Sequence, residues 1–259
     1  MNMNSFLKAS AIGLITVAVS ACGNNHHKSK VDIDGRAALG ALLNATCTVT
    51  TLSGTVLGSG TTDGSGNFTM TLSPAPSEPY VLSCTGGQYF NEATGQFETF
   101  TGTMKAVAPS DTTSLAVTPL TDVAAEAVLA LGGTVTDGQV DTVLGDIASF
   151  FGLGDLLALP QVVNSLDDLD TLSGNAGAYA AVLAALANLT EGMGLDAQDV
   201  LSLLADDIAD GDLGDQFSQS EIDDEAASVA EGTDAADELA SGQDDPDRND
   251  GTITGSGGN

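Results

Sequence analysis

The chain has 259 residues, 42% of them hydrophobic, with three cysteines and no tryptophan. Six Lys and Arg stand against 36 Asp and Glu, a formal net charge of −30. That length suits one large or two small domains, and a field of that sign repels phosphate backbones, so nucleic acid is excluded as a partner. The charge is regional: beyond Lys105, where 30 of the 36 acids lie, Arg248 is the only base. Such a surface favours solubility and leaves a cation or a basic partner open.

Residues 1–21 have the three parts of a secretory signal. Lys8 gives a small positive start, Ala9 to Val19 is a short apolar run, and small residues follow. The run is too short to span a bilayer, which takes about 20 apolar residues. Val19-Ser20-Ala21-Cys22 resembles the lipobox of bacterial lipoproteins. The resemblance implies cleavage before Cys22, acylation of its thiol, and attachment to a membrane through that lipid. Gly23 in place of Asp implies sorting to the outer membrane, with the periplasmic or the outer face left open. An ordinary cleaved signal with an incidental cysteine is the other reading.

Residues 22–30 form a polar tether. His26 and His27 lie in it, and two adjacent histidines fall short of a metal's ligand set. The remaining cysteines, Cys47 and Cys84, are an even pair in an exported chain and point to a disulfide. Two buried free thiols would be the alternative.

Residues 31–118 are expected to be β. Thr and Val are dense, Gly and Asn punctuate, and side chains alternate. Ala45, Cys47 and Val49 share one face; so do Phe68, Met70 and Leu72, and Tyr80, Leu82 and Cys84. Both cysteines therefore point with the apolar residues. Thr62-Asp63-Gly64-Ser65-Gly66-Asn67 is a turn. The run Gly35 to Thr46, the Thr62-Asp63-Gly64-Ser65-Gly66-Asn67-Phe68 turn, Gly86 to Gly95 and Val117-Thr118-Pro119-Leu120-Thr121 are similar to the carboxypeptidase-regulatory-like domains of bacterial surface lipoproteins. The resemblance implies a transthyretin-like antiparallel β-sandwich leading into a helical region. It carries fold and not chemistry, because no H-x-x-E zinc pair occurs and no histidine follows His27.

At Thr118-Pro119 the period changes, and residues 119–240 are expected to be an α-helical domain. Val123, Ala124, Ala127, Val128 and Leu131 recur at helical spacing until Gly132-Gly133. A second helix is predicted over 136–151 with Val140, Val143, Leu144, Ile147 and Phe151 on its apolar face. Residues 152–160 are a break. Helices over 173–189 and 196–209 follow, with Tyr179, Val182, Leu183 and Leu186, then Val200, Leu201, Leu204 and Ile208, facing inward. Four such helices can close a small bundle. Ile147 to Phe151 as a membrane-surface helix is disfavoured, because its polar face lacks the usual Lys and Arg. Weak helices over 220–230 and 234–240 precede a tail, 241–259, whose Gly, Asp and Ser content predicts disorder. The expected fold class is thus α+β: a β-sandwich, a helical bundle and a disordered acidic tail.

Chemistry is sparse. The folded part has no histidine to act as a base, and no nucleophile elbow, P-loop or C-x-x-C-H site occurs. Carboxylates cluster at Asp167, Asp168 and Asp170 and at Asp206, Asp207 and Asp210, where a solvated acidic face is the plainer account. Asp245, Asp247 and Asn249 look like a fragment of a Ca²⁺ loop, but Gly251 is one place late, Arg248 intrudes and no distal acid follows. The sequence therefore predicts a non-enzymatic lipoprotein that binds an envelope or extracellular partner or has a structural role. A carboxylate hydrolase and a Ca²⁺-dependent adhesin are the alternatives.

Overall fold

The computed structural model describes residues 29–208 and 212–254. The signal run, Cys22, His26 and His27, Asp210 and the last five residues lie outside the described residues.

The fold is mixed α and β. Ten strands are described: β1 Val31–Ala37, β2 Leu42–Leu43, β3 Thr46–Thr51, β4 Val56–Thr61, β5 Asn67–Leu72, β6 Tyr80–Thr85, β7 Gln88–Asn91, β8 Gln96–Thr99, β9 Thr103–Ala108 and β10 Ser114–Val117. They form three sheets, ordered β10-β1-β5, β2-β7-β8 and β4-β3-β6-β9. All pairings are antiparallel except β1 with β10. Alternation decides the faces. Ile33 and Ala37 of β1, Cys47 and Val49 of β3, and Phe68, Met70 and Leu72 of β5 are buried, while Asp32, Thr48 and Thr69 look outward. The predicted turn forms as expected. Asp63 Oδ1 accepts from Ser65 N at 2.8 Å and Asn67 N at 2.9 Å, and those bonds, Ser65's foremost, hold its carboxyl below the usual range. Gly66, at φ +74°, lies so close to Ala37 that a Cβ would meet its carbonyl at 2.4 Å.

Cys47 and Cys84 face each other across β3 and β6 and are joined by a disulfide with Cα atoms 4.1 Å apart. The bridge is cross-strand within one sheet. Both residues are buried, on the apolar face that the alternation assigns them.

Seven α-helices are described: α1 Pro119–Ala130, α2 Asp137–Phe150, α3 Leu166–Leu169, α4 Gly174–Gly192, α5 Val200–Ile208, α6 Gln219–Val229 and α7 Ala236–Gln243. Thr118 and Thr136 cap α1 and α2, accepting from Thr121 N and Gln139 N, each cap worth about 1 kcal/mol. The predicted stripe of α2 is buried in full, and each such side chain contributes roughly 1.5–3 kcal/mol. In α4 the burial runs almost all round, from Gly177 to Ala187, rather than along one stripe. Its Ala and Leu content makes a central helix that others surround.

The helices do not stand apart from the sheets. One contiguous apolar cluster runs from Ile33 to Ile253. Across residue 118, Tyr179 Oη and Thr118 Oγ1 are 2.8 Å apart, both buried. Helix α1 also covers the open edge of β9: Lys105 N donates to Asp122 Oδ1 at 2.7 Å, and Lys105 O accepts from Thr121 Oγ1 at 2.9 Å. Two backbone groups that an edge strand would leave free are thereby satisfied. Burial pushes the Asp122 carboxyl up to about 6.

The tail departs from expectation. Residues 241–254 fold back onto α2 and α6. Arg248 donates to Ser149 O and Phe150 O at the C-terminal end of α2 and to both oxygens of Asp223 on α6. Thr254 N reaches Asp146, and Ile253 is buried. Composition pointed to disorder because the segment has few apolar residues. One cation beside the last carbonyls of α2 and a bidentate acid offsets that lack.

Candidate functional site

Ionisable side chains converge where the β7–β8 hairpin meets the end of α4. Antiparallel register puts Tyr89 opposite Glu98 and Asn91 opposite Gln96, so Tyr89, Asn91 and Glu98 share a face. Asn91 shapes the turn, its Oδ1 accepting from Ala93 N and Thr94 N. Its Nδ2 donates to Glu98 Oε1 at 3.0 Å and to Glu191 Oε1 at 2.8 Å. Glu98 also accepts from Tyr89 Oη at 2.8 Å and Thr94 Oγ1 at 3.0 Å. Two carboxylates from residues far apart in sequence are thus held on one buried amide, with those oxygens at most 5.8 Å apart. Burial first, and Glu98 second, push the Tyr89 phenol up, so it remains a donor. Just after Glu191 in sequence, Met193 is 51% exposed and Leu195 39%. Gln198 Oε1 accepts from Thr101 N and Oγ1 at 3.1 Å each, fixing the far side.

Glu98 carries several donors and is a fixed acceptor. Glu191 has its second oxygen directed to no described partner in this cluster and is the more adaptable of the two. Such a pair can hold sugar hydroxyls or a basic group. Sequence reasoning missed the pair because no spacing rule links positions 98 and 191.

Of the carboxylates singled out in sequence, Asp168 and Asp207 have local duties, while Asp167, Asp170 and Asp206 are exposed. Asp168 Oδ2 accepts from Asn164 N and Ser165 N. The buried Asp207 accepts from Gly214 N, Asp215 N and Gln216 N, all at 2.8 Å. In the tail, Asp245 Oδ1 accepts from Asp247 N, Asn249 Oδ1 accepts from Gly251 N, and Arg248 lies between them in sequence. Among the described residues no group of three or more His, Cys, Asp or Glu could hold a metal ion. A shallow acidic cleft of about 500 Å³ lies between Asp111, α2 and residues 154–157, where Asp137 is tied to Ser110 N and Oγ.

Glu92, just past β7, is only 5% exposed. Its carboxyl lies against Gly40, where a Cβ would stand 3.0 Å from Oε1, and Oε2 has no partner. Burial pushes its pKa up to about 8, against smaller opposing bonds from its own and Gly40's backbone. Burial thus favours its neutral form.

No protein-family model, curated protein or solved structure matches this chain.

Proposed function

We propose that this chain is an exported lipoprotein, acylated at Cys22 and held at the outer membrane, whose body is a non-catalytic binding or structural module of the envelope. The Cys47–Cys84 disulfide carries the reading, because such bonds persist in oxidising compartments outside the cytoplasm. The Val19-Ser20-Ala21-Cys22 run and the polar tether that follows it support the anchor. We read the β10-β1-β5 and β4-β3-β6-β9 sheets as the two layers of a transthyretin-like sandwich. Their common apolar cluster and the Thr62–Phe68 turn support that finer assignment. Metabolic labelling with palmitate tests the anchor: wild-type protein takes up label and Cys22→Ser does not. Label retained in Cys22→Ser would sink it.

A carboxylate hydrolase acting on envelope glycan is the second reading, favoured by Glu98 and Glu191 sharing Asn91. A turnover screen with the purified body separates the two. Hydrolysis lost on Glu98→Gln or Glu191→Gln would establish the second reading; no turnover on any glycan tried leaves the module.

A further inference from the structure

We propose that the end of the body carrying Ser29, Leu52, Val56 and residues 74–76 is the face held against the lipid surface to which Cys22 ties the chain; this rests on the anchor reading above. The chain leaves the body there. Ser29 O accepts from Ala75 N at 2.6 Å, which seats the start of the body beside residues 74–78. Ser73 N donates to Leu57 O at 2.9 Å and Thr51 N to Thr55 O at 2.9 Å, so the β3–β4 turn and the 73–78 segment lie side by side. A cleft of about 310 Å³ separates them, lined by Ser29, Thr51, Leu57, Pro74, Pro76 and the carboxylate-bearing Glu78 among others.

This end is apolar and open. Val56 is 60% exposed, the most exposed large hydrophobic side chain among the described residues. Leu52, Pro74, Ala75 and Pro76 are half-buried around it. The turn from Leu52 to Val56 carries no charge, in a chain whose net charge is −30. Glu78 lines the cleft beside it, so the apolar turn itself, rather than the whole end, suits the interface of a zwitterionic bilayer.

The tether limits what else can reach the lipid. Six residues, 23–28, lie between Cys22 and Ser29, so the two are at most ~25 Å apart. A compact body of this size has a radius of gyration of about 17 Å and is roughly 45 Å across. A leash of that length keeps Ser29 and the residues beside it near the lipid however the body tilts. The opposite end of the same strands is identifiable. Thr46, Thr61, Thr85 and Thr103 align at the opposite ends of β3, β4, β6 and β9. Beyond them Thr101 bonds Gln198, near the exposed Met193 and Leu195. Tethering keeps the near end at high effective concentration over the lipid, so a weak contact suffices.

The absence of tryptophan makes the test clean, since one introduced Trp reports one place. The full processed lipoprotein, as Val56→Trp, Ser53→Trp or Met193→Trp, is reconstituted into phosphatidylcholine vesicles brominated high on the acyl chains. Emission from Val56→Trp and Ser53→Trp is expected to shift to the blue and lose intensity to the bromines, while Met193→Trp keeps the emission it has without lipid. Two probes in one turn keep the test decisive if either variant folds poorly. Equal quenching at all three positions, or quenching at Met193→Trp alone, overturns the proposal. Protein that floats with the vesicles while Val56→Trp and Ser53→Trp stay unquenched shows the anchor right and the face wrong. Wild-type protein that fails to float overturns the anchor, and this inference with it.

Discussion

Arg248 grips Asp223 through two parallel contacts, Nη1 to Oδ2 at 2.5 Å and Nη2 to Oδ1 at 2.7 Å, while the same guanidinium reaches the last carbonyls of α2. Its side chain is 7% exposed. Arg248→Ala leaves Asp223 and those carbonyls without their cation. The expected loss is about 2–3 kcal/mol, at or just below the range for a buried pair because Asp223 keeps some water. Arg248→Lys recovers only part of it, having no fork. Urea unfolding measures both, and no change in either variant would mean the tail is not clasped.

Glu92 sets the pH response. Its folded pKa, about 8, lies above the ordinary 4.5, so the folded state holds the proton more tightly than the unfolded chain. The associated stability is complete below pH 4.5, falls as pH rises, and is gone above pH 8. Asp122, raised to about 6, adds a decline of the same sign over the lower part of that window. Glu92→Gln keeps the shape and the neutral state. It should match wild type at pH 5 and exceed it by a few kcal/mol at pH 9, leaving only the Asp122 slope. Thermal melts across that range decide; a variant weaker at both ends would show that Glu92 is needed as an anion.

The disulfide closes a loop with a sequence separation of 37. Chain-entropy arguments give about 4 kcal/mol for a loop of that size. Replacing both cysteines with alanine should lower stability by roughly that amount, plus a small packing loss at two buried sites. Denaturant midpoints of the double variant, compared with reduced wild type, check it. Equal stability in all forms would mean the thiols are unlinked in solution.

Asn91 is wholly buried and supports two carboxylates and a turn at once. Asn91→Ala removes four hydrogen bonds and brings two acids together unbuffered, for an expected loss of about 2–3 kcal/mol. Glu191→Gln keeps an oxygen near the Asn91 amide and removes a like charge, so it should be close to neutral for stability. A large loss in Glu191→Gln would assign that carboxylate a structural role.

Local signals in the sequence were strong where one residue determines one element. Thr118 with Pro119 marks the start of α1, and the helix expected from Thr136 begins there, because capping is a short-range bond. Alternation through Cys47, Met70 and Leu82 orders the strand faces, because β side chains have period two. Long-range partners were illegible. Nothing at Lys105 announces that its backbone will be met by Asp122 and Thr121, and nothing at Glu98 names Glu191. The tail misled for the same reason: Arg248 contributes through Asp223 and Phe150, both remote in sequence. The parallel pairing of β1 with β10 likewise depends on a partner some eighty residues on.

Membrane attachment hinges on where the mature chain begins and what it carries. Intact-mass and N-terminal peptide analysis of the protein extracted from membranes measures both. The expected result is a chain starting at Cys22 with the added mass of its acyl groups. A chain starting at any other residue, or at an unmodified Cys22, would contradict it.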